Sequence, residues 1–185
     1  MRREGYIIEE VVEYSNMSDS FDKVLRGTKR KESPQGRSLL AHREEVIREL
    51  SECIEAGTFT VRDYREREIN ENGKVRRIQI LSMKDRIAVH AIMEVVDRHL
   101  KRRFIRTTSA SIRGRGMHDL LAYIHRDMQE QPESTRYCYK FDISKFYESI
   151  SQDTVMDCVR RVFKDERLIA MLDGFVRMMP HGLSI

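Results

Sequence analysis

Residues 139–150 read YKFDISKFYESI, a stretch that sets one aspartate between a strand-like run and a pair of aromatic residues. A strand that ends at Asp142 would fix its carboxylate, and the next turn would expose carbonyl oxygens, which are hard ligands that suit a divalent cation. Nucleotidyl transfer uses two such ions about 3.5–4 Å apart, so one aspartate cannot hold both. The plainer alternative is that Asp142 caps the N-terminus of the following turn or helix.

The aromatic pair that follows Asp142 has two interpretations. Phe146 stands four positions and Tyr147 five positions beyond the aspartate. An aromatic ring there could stack under the sugar of a nucleotide and exclude a 2′-hydroxyl by contact. The alternative is that both rings pack against a sheet, and this alternative is favoured for Phe146.

A second group of candidate residues lies on a predicted β-hairpin. The segments 58–69 and 74–81 are rich in β-branched and aromatic residues and flank Asn72-Gly73, the preferred centre of a tight hairpin turn. In the second strand Lys74 and Arg76 alternate onto one face. Two cations on one face can hold a triphosphate, and arginine does so with bidentate geometry. Solvated surface charge is the alternative.

The interval 98–115 contains basic residues and no acid between them, and it could meet phosphates. The alternative is a solvated helix end followed by a loop. The members of this basic interval are Arg98, Lys101, Arg102, Arg103, Arg106, Arg113 and Arg115.

Composition bounds the class of protein. The chain has 185 residues, 40% of them hydrophobic, so it can bury a real core. The net charge of +4 is too mild to indicate nucleic acid by itself, and the three cysteines show no CxxC pair, which favours free thiols in a reducing compartment. No apolar run approaches the roughly 20 residues of a membrane span, and no signal peptide is evident. We therefore expect a cytoplasmic protein without a membrane partner.

Hydrophobic periodicity predicts an α+β fold in which this chain supplies only part of a sheet. The apolar stripe of one long helix is predicted to end at His99, and Gly57 is predicted to end the helix that Ser38 caps. The predicted elements are a mobile loop at 27–38, a helix at 39–57, the hairpin, helices at 84–103 and 117–129, a strand at 136–141 that ends at Asp142, a short turn or helix, and helices near 152–163 and 165–178.

Four segments of the chain together resemble reverse transcriptases of bacterial retroelements, in the order of that family. FDISKFYESI resembles the family's first catalytic motif. GTFTVRDYREREINENGKVRRIQILSMKDRIAVHAIM resembles the fingers hairpin and the helix after it. SASIRGRGMHDLLAYIH resembles the next block, and the final PHGLSI resembles the approach to the nucleotide-binding motif. The resemblance extends from about residue 15 to the end.

The resemblance implies a role for individual residues. Asp142 matches the metal-binding aspartate, with the carbonyl of Ile143 as a further ligand, and Tyr147 matches the position that rejects ribonucleotides. Arg76 matches the fingers arginine on the incoming dNTP, with Lys74 as its partner. The implied cofactor is a pair of Mg²⁺ ions, with Mn²⁺ as an alternative, and the implied partners are an RNA template, a DNA or RNA primer and dNTPs. The template contacts would be Arg86, Arg102, Arg103, Arg113 and Arg115.

One departure from the family pattern is large, because the family's second catalytic motif, Tyr-x-Asp-Asp, is absent here. The resemblance therefore implies a fragment with an N-terminal extension and loop at 1–37, helical fingers at 38–135 and a partial palm at 136–185. Such a fragment is expected to be inactive alone, since the two-metal site needs further carboxylates. A truncated palm would expose apolar surface, which could allow self-association.

Two questions stay open at this level. The branch of the family is undecided between intron-encoded, retron, diversity-generating and defence-associated enzymes, with a slight preference for the non-intron branches from the short ASIRGRGMH stretch. The other class of function is a non-catalytic RNA-binding module, for which the basic interval and the hairpin would suffice.

Overall fold

The computed structural model describes residues 3–71 and 73–178, with the backbone alone at positions 28, 71, 74, 76, 147 and 148. These residues form two compact units. The main unit comprises the chain up to Asp97 and from Lys145 onward, and the small unit comprises Arg98–Ser144. In the described ranges no helix has the length and apolar character that a membrane crossing would need.

The described elements are mostly helical, with one two-stranded antiparallel sheet, in agreement with the α+β class. In chain order they are α1 Ile7–Val11, α2 Tyr14–Val24, α3 Thr28–Lys31, α4 Pro34–Ala41, α5 Arg43–Glu55, β1 Tyr64–Glu71, β2 Lys74–Leu81, α6 Met83–Lys101, α7 Met117–Glu130, α8 Phe146–Ser149, α9 Gln152–Val162 and α10 Glu166–Arg177.

Most of the predicted elements are confirmed. The two strands pair with Glu71 opposite Lys74, which leaves a two-residue connection, and Gly73 adopts the positive φ of 81° that such a turn needs. Gly57, at φ 68°, follows the end of α5 as predicted. The buried stripe of α6 is confirmed as well and includes His99, which is 6% exposed.

The interpretation of 27–38 as a mobile loop is wrong, because two short helices, α3 and α4, occupy it. The Ser33 hydroxyl accepts a hydrogen bond from the backbone N–H of Gly36 at 3.0 Å and so caps α4. Pro34 stands in the first turn, where its missing N–H costs nothing and its fixed φ favours the helix. The cap is therefore Ser33, and the predicted cap Ser38 lies inside α4.

The predicted strand at 136–141 is also wrong. Among the described residues the hairpin forms the sheet, and residues 137–143 have no hydrogen-bonded strand beside them. Tyr139 and Phe141 are 78% and 88% exposed and stack on each other with ring centroids 6.4 Å apart. A β-strand is defined by its ladder partner, so the period-two pattern alone does not produce one here.

The core of the main unit draws on both ends of the chain. Glu4 forms a short parallel bridge with Phe163, through a hydrogen bond from its N–H to the Val162 carbonyl and one to its own carbonyl from Lys164 N–H, each 2.8 Å. The largest fully buried side chains come from six helices, from the residue that follows α2 and from the Phe163 bridge. They are Ile7, Ile8, Val11, Met17, Phe21, Leu25, Ile54, Ile87, Ile92, Met156, Phe163 and Leu168.

The start of α1 is held by a carboxylate from the far end of the sequence. Asp165 accepts hydrogen bonds from the backbone N–H groups of Ile7 and Ile8, at 3.1 and 3.2 Å, and its side chain is only 6% exposed. Helix N-termini leave such N–H groups without partners in their own helix. Asp165 precedes α10 in the chain, yet it makes no side-chain cap to that helix and caps α1 instead.

Arg167, two residues after Asp165, connects α10 to α1 and α5 through its side chain. Its guanidinium contacts the Glu9 carboxylate at 2.6 Å and donates to the carbonyl of Glu55, at the end of α5, at 3.0 Å. Backbone hydrogen bonding and the Arg167 hydrogen bond hold the pKa of the Glu9 carboxyl below its usual range. Helices α1, α5 and α10 are thereby tied together by side chains of one short segment.

Helix α6 is attached to the N-terminal helices by polar contacts along its length. The Asn16 side-chain amide donates to the carbonyls of Val11 and Ala91, at 2.7 and 3.1 Å, and so links α2 to the middle of α6. Lys23 pairs with Glu94 at 3.3 Å. The N-terminal helices therefore form part of the scaffold that carries α6.

The Asp165 contact yields a first prediction. Asp165→Ala leaves two N–H groups at the start of α1 without an acceptor, and we expect it to lower the free energy of unfolding by about 2–3 kcal/mol. Urea denaturation followed by circular dichroism measures the change. Asp157→Ala, at an exposed aspartate of α9, is the matched control and should change stability by less than about 0.5 kcal/mol. Equal effects of the two substitutions would contradict the structural role of Asp165.

A pair of glycines gives a second prediction with opposite signs. A Cβ on Gly36 would collide with the backbone carbonyl of Arg30, which a side-chain movement cannot relieve, whereas a Cβ on Gly174 in α10 meets nothing within 4 Å. Gly36→Ala should therefore destabilise the protein by about 1–3 kcal/mol. Gly174→Ala should stabilise it by up to about 1 kcal/mol. Thermal denaturation of both variants tests this, and stabilisation by Gly36→Ala would refute the described packing of α4.

Candidate functional site

The hairpin positions its candidate cations by register. Lys74 and Arg76 lie opposite Glu71 and Ile69, at the first and third positions of β2. Their side chains lie outside the described part of the structure, so the predicted contact with a triphosphate stays a prediction. The neighbouring Arg77 forms an ion pair within the hairpin, with its Nη2 3.6 Å from Glu68 Oε1.

Asp142 lies in the small unit, in an extended segment without regular structure. Its side chain is exposed, and among the described residues it has no hydrogen bond or ion pair. The residue at the N-cap of α8 is Lys145, with φ 51°, and that helix receives no side-chain cap. The alternative role of Asp142 as a helix cap is therefore wrong, and its carboxylate is available to a ligand.

The metal site predicted around Asp142 is not complete within the described residues. Ile143, whose carbonyl was the second predicted ligand, is 64% exposed. Among the side chains that the structure describes, which do not include those of Glu71 and Glu148, no three His, Cys, Asp or Glu side chains come together in a group that could hold a metal ion. One carboxylate and one carbonyl do not fit a two-metal site, so no chemical step is assigned to a metal here.

The aromatic pair after Asp142 is only partly described. Tyr147 lies in α8, but its side chain lies outside the described part, so its predicted contact with a sugar stays a prediction. Phe146 is 42% exposed. Its predicted packing against a sheet receives no support, since the hairpin is the sheet in the described ranges.

In the small unit, one arginine of the basic interval is paired with an acidic residue from outside that interval. Arg106 forms a two-pronged hydrogen-bonded pair with Asp119 of α7, at 2.7 and 2.8 Å. The guanidinium of Arg106 also lies 4.5 Å from the ring centroid of Tyr123, and that of Arg126 lies 4.4 Å from the same centroid. Tyr123 thus interacts with two cations, one of which is neutralised by Asp119.

The predicted template residues of the small unit differ in exposure. Arg102 and Arg113 are exposed, and Arg113 stands beside Gly114, at φ 77°, in a tight turn closed by a bridge between the residues at 112 and 115. Arg103 is half-buried. Arg115 is half-buried too, with one weak hydrogen bond at 3.5 Å to the carbonyl of Ile105. Arg102 and Arg113 are the most accessible of this set.

Arg86, the remaining predicted template residue, belongs to the main unit, in the first turns of α6. Its side chain is half-buried and lines a groove between α6 and β2. The groove as a whole was not predicted from the sequence. One of its walls is Val24 of α2, which is more than 50 residues away from Arg86 in the chain. Asp119 and Tyr123 were missed for the same reason, since no local pattern joins them to Arg106.

Comparison with known proteins adds no family assignment. No protein-family model matches this sequence, and the search of curated proteins found no match either. The resemblance to reverse transcriptases therefore depends on the four quoted segments and their order along the chain.

The pair between Arg106 and Asp119 yields a prediction of pH dependence. The hydrogen bond from Arg106 holds the pKa of the Asp119 carboxyl below its usual range, so the pair stabilises the small unit above the unfolded pKa of that carboxyl. This stabilisation is lost as pH falls through the lowered folded value. In Arg106→Gln, the pKa of Asp119 should rise towards the ordinary range, as followed by a carboxyl-carbon NMR titration.

The control for this titration is Arg113→Gln, which removes an exposed arginine of the same interval. That variant should leave the pKa of Asp119 close to its wild-type value. If Arg106→Gln and the wild type titrate identically at Asp119, the described pair does not form in solution.

Proposed function

We propose that this chain is the fingers and the first palm segment of an RNA-directed DNA polymerase of a bacterial retroelement. The observation that carries the proposal is the state of Asp142. Its carboxylate is exposed and unpaired among the described residues, which is what a metal-binding aspartate needs before its ions and substrates bind. The resemblance of FDISKFYESI to the family's first catalytic motif, and the order of the four family-like segments, support this role for Asp142.

In the proposed enzyme Asp142 provides one carboxylate of a two-metal site for nucleotidyl transfer onto a primer 3′-hydroxyl. Asp142 and the carbonyl of Ile143 would be the ligands from this chain, and bound ions would supply charge stabilisation for the attacking and leaving oxygens. Lys74 and Arg76 bind the triphosphate of the incoming dNTP, and Tyr147 discriminates against its 2′-hydroxyl. Each of these roles comes from the family resemblance.

The remaining carboxylates of that site are proposed to lie outside these 185 residues. Two metal ions need more than one carboxylate between them, and the described side chains form no group of three potential ligands. The chain by itself should therefore bind RNA without extending a primer. Exposed Arg102 and Arg113 are suited to backbone phosphates, which gives contact that tolerates any sequence.

A non-catalytic RNA-binding module is the second candidate. The observation that favours it is that the small unit contains two exposed arginines, Arg102 and Arg113, and a cluster of Tyr123 with two guanidinium groups. Aromatic rings and arginine planes are common platforms for unpaired bases. In that case Asp142 would have no chemical role, and Asp142→Asn would leave RNA binding at the wild-type level.

The two candidates are separated by Asp142→Asn in the longer polymerase that the proposal implies. The substitution removes a metal ligand, so Mg²⁺-dependent primer extension on an RNA template should fall at least about a hundredfold. Loss of a residue that only hydrogen-bonds a metal ligand already reduces activity by up to about a hundredfold. Affinity for RNA should change less than about twofold, since a carboxylate does not attract phosphates.

Asp157→Asn is the matched control, because it makes the same change at an exposed aspartate of α9. It should leave extension at the wild-type level. Full extension by Asp142→Asn would eliminate the polymerase proposal. Robust extension by residues 1–185 alone would instead contradict the proposal that further carboxylates of the site lie outside these residues.

A further inference from the structure

A groove of about 450 Å³ runs between α6 and β2 in the main unit. Its volume lies within the range of small-molecule sites, and such sites combine apolar walls with a few polar groups. Its lining residues come from α2, β2 and α6, and no carboxylate is among those described. They are Val24, Gln79, Ile80, Leu81, Arg86, Val89, His90 and Met93.

Two polar side chains of this lining have unused hydrogen-bonding capacity. In the described part of the chain neither the Arg86 guanidinium nor the Gln79 side-chain amide makes a hydrogen bond or ion pair. Both are half-buried, so they are partly removed from water without a protein partner. Half-buried polar groups of this kind gain from a ligand, and a guanidinium prefers a phosphate or carboxylate bound by two parallel hydrogen bonds.

The apolar wall of the groove is open to solvent at two points. Ile80 is 36% exposed and Met93 is 41% exposed, and they line the groove together with Leu81 and Val89. An exposed apolar wall next to a cation suits a flat ring that carries an anionic group. The nucleotide unit of a single strand has this combination, with a base whose edge can pair with an amide.

His90 contributes to the wall without adding a second cation. Its Nδ1 lies 3.0 Å from the hydroxyl oxygen of buried Ser20, and its Nε2 lies 3.9 Å from the Glu94 carboxylate. Burial lowers the pKa of the His90 imidazole, and nearby Lys23 lowers it further, while Glu94 opposes the shift. The ring is therefore neutral above its ordinary titration range, and Arg86 is the cation of the described lining.

We propose that this groove binds one unpaired nucleotide of an RNA strand. Arg86 contacts its phosphate, Gln79 pairs with the edge of its base, and Ile80 with Met93 contacts the face of the base. The inference rests on the proposed function, in which RNA is the template, and adds a specific pocket for one nucleotide. The chemistry favours RNA over an acidic peptide, because a peptide carboxylate would use Arg86 but leave the apolar wall uncovered.

Binding of a fluorescently labelled single-stranded RNA to the 185-residue chain, followed by fluorescence anisotropy, tests the groove. Arg86→Gln should weaken binding about tenfold, since it removes a charge-assisted contact. It should also make the dependence of log affinity on log salt shallower by about 0.7, the value for one phosphate contact on a single strand. Arg86→Lys keeps the charge but not the two-pronged geometry, so its RNA affinity should lie between those of the wild type and Arg86→Gln.

Arg160→Gln is the matched control, because Arg160 is an exposed arginine of α9 outside the groove lining. It should leave the affinity within about twofold of the wild type. Gln79→Ala should weaken binding without changing the salt dependence, as expected for an uncharged partner. Equal effects of Arg86→Gln and Arg160→Gln would overturn the proposal, as would displacement of bound RNA by an aspartate-rich peptide at the same concentration as unlabelled RNA.

A cross-linking measurement separates this proposal from the polymerase assignment. RNA that carries thiouridine should cross-link on irradiation to the peptide that contains Met93. If the longer polymerase extends primers while its cross-links avoid α6 and β2, the groove proposal is wrong and the function stands. If RNA cross-links at Met93 but no primer is extended, the groove proposal stands and the polymerase assignment is wrong.

Discussion

The main unit depends on one buried carboxylate that joins the two ends of the described chain. Asp165 accepts hydrogen bonds from the N–H groups of Ile7 and Ile8, which would otherwise be unpaired polar groups beside fully buried side chains. An unsatisfied buried donor is more costly than a typical hydrogen bond is stabilising. The position of α1 against α10 therefore depends on these hydrogen bonds to Asp165 as well as on the burial of apolar side chains.

This constraint extends to the elements that carry the functional candidates. Arg167 connects the same segment to the end of α5, and Asn16 connects α2 to the middle of α6. Helix α6 and strand β2 form the groove lined by Arg86, and Val24 of α2 completes its wall. The N-terminal helices thus help to shape a candidate binding surface, although the sequence identified them only as an extension.

The elements of the fold were largely predictable, because they depend on local patterns. Asn72-Gly73 and the alternating strands predicted the hairpin, and the apolar stripe up to His99 predicted α6. The interval 27–38 misled because Pro34 and Gly36 are typical of loops, yet proline also favours the first turn of a helix. The strand at 136–141 was predicted from a strand-like local sequence, which cannot supply a pairing partner.

The candidate sites were predictable only where they rest on one segment. Asp142 was identified from its neighbours in sequence; the structure describes its side chain as exposed, and its role as a metal ligand stays a prediction. The neutralisation of Arg106 by Asp119 and the capping of α1 by Asp165 join residues 13 and more than 150 positions apart. Contacts at such separations leave no periodic signal, so only the folded chain reveals which charges are free and which are paired.

Native-state hydrogen exchange at the Ile7 and Ile8 amides tests the central claim about this scaffold most directly. If Asp165 holds the start of α1 to α10, both amides should exchange only on global unfolding, as slowly as those of Val95 and Val96 in the buried face of α6. Exchange of Ile7 and Ile8 at the rate of an exposed chain end would contradict the account, because α1 would then open independently of the core.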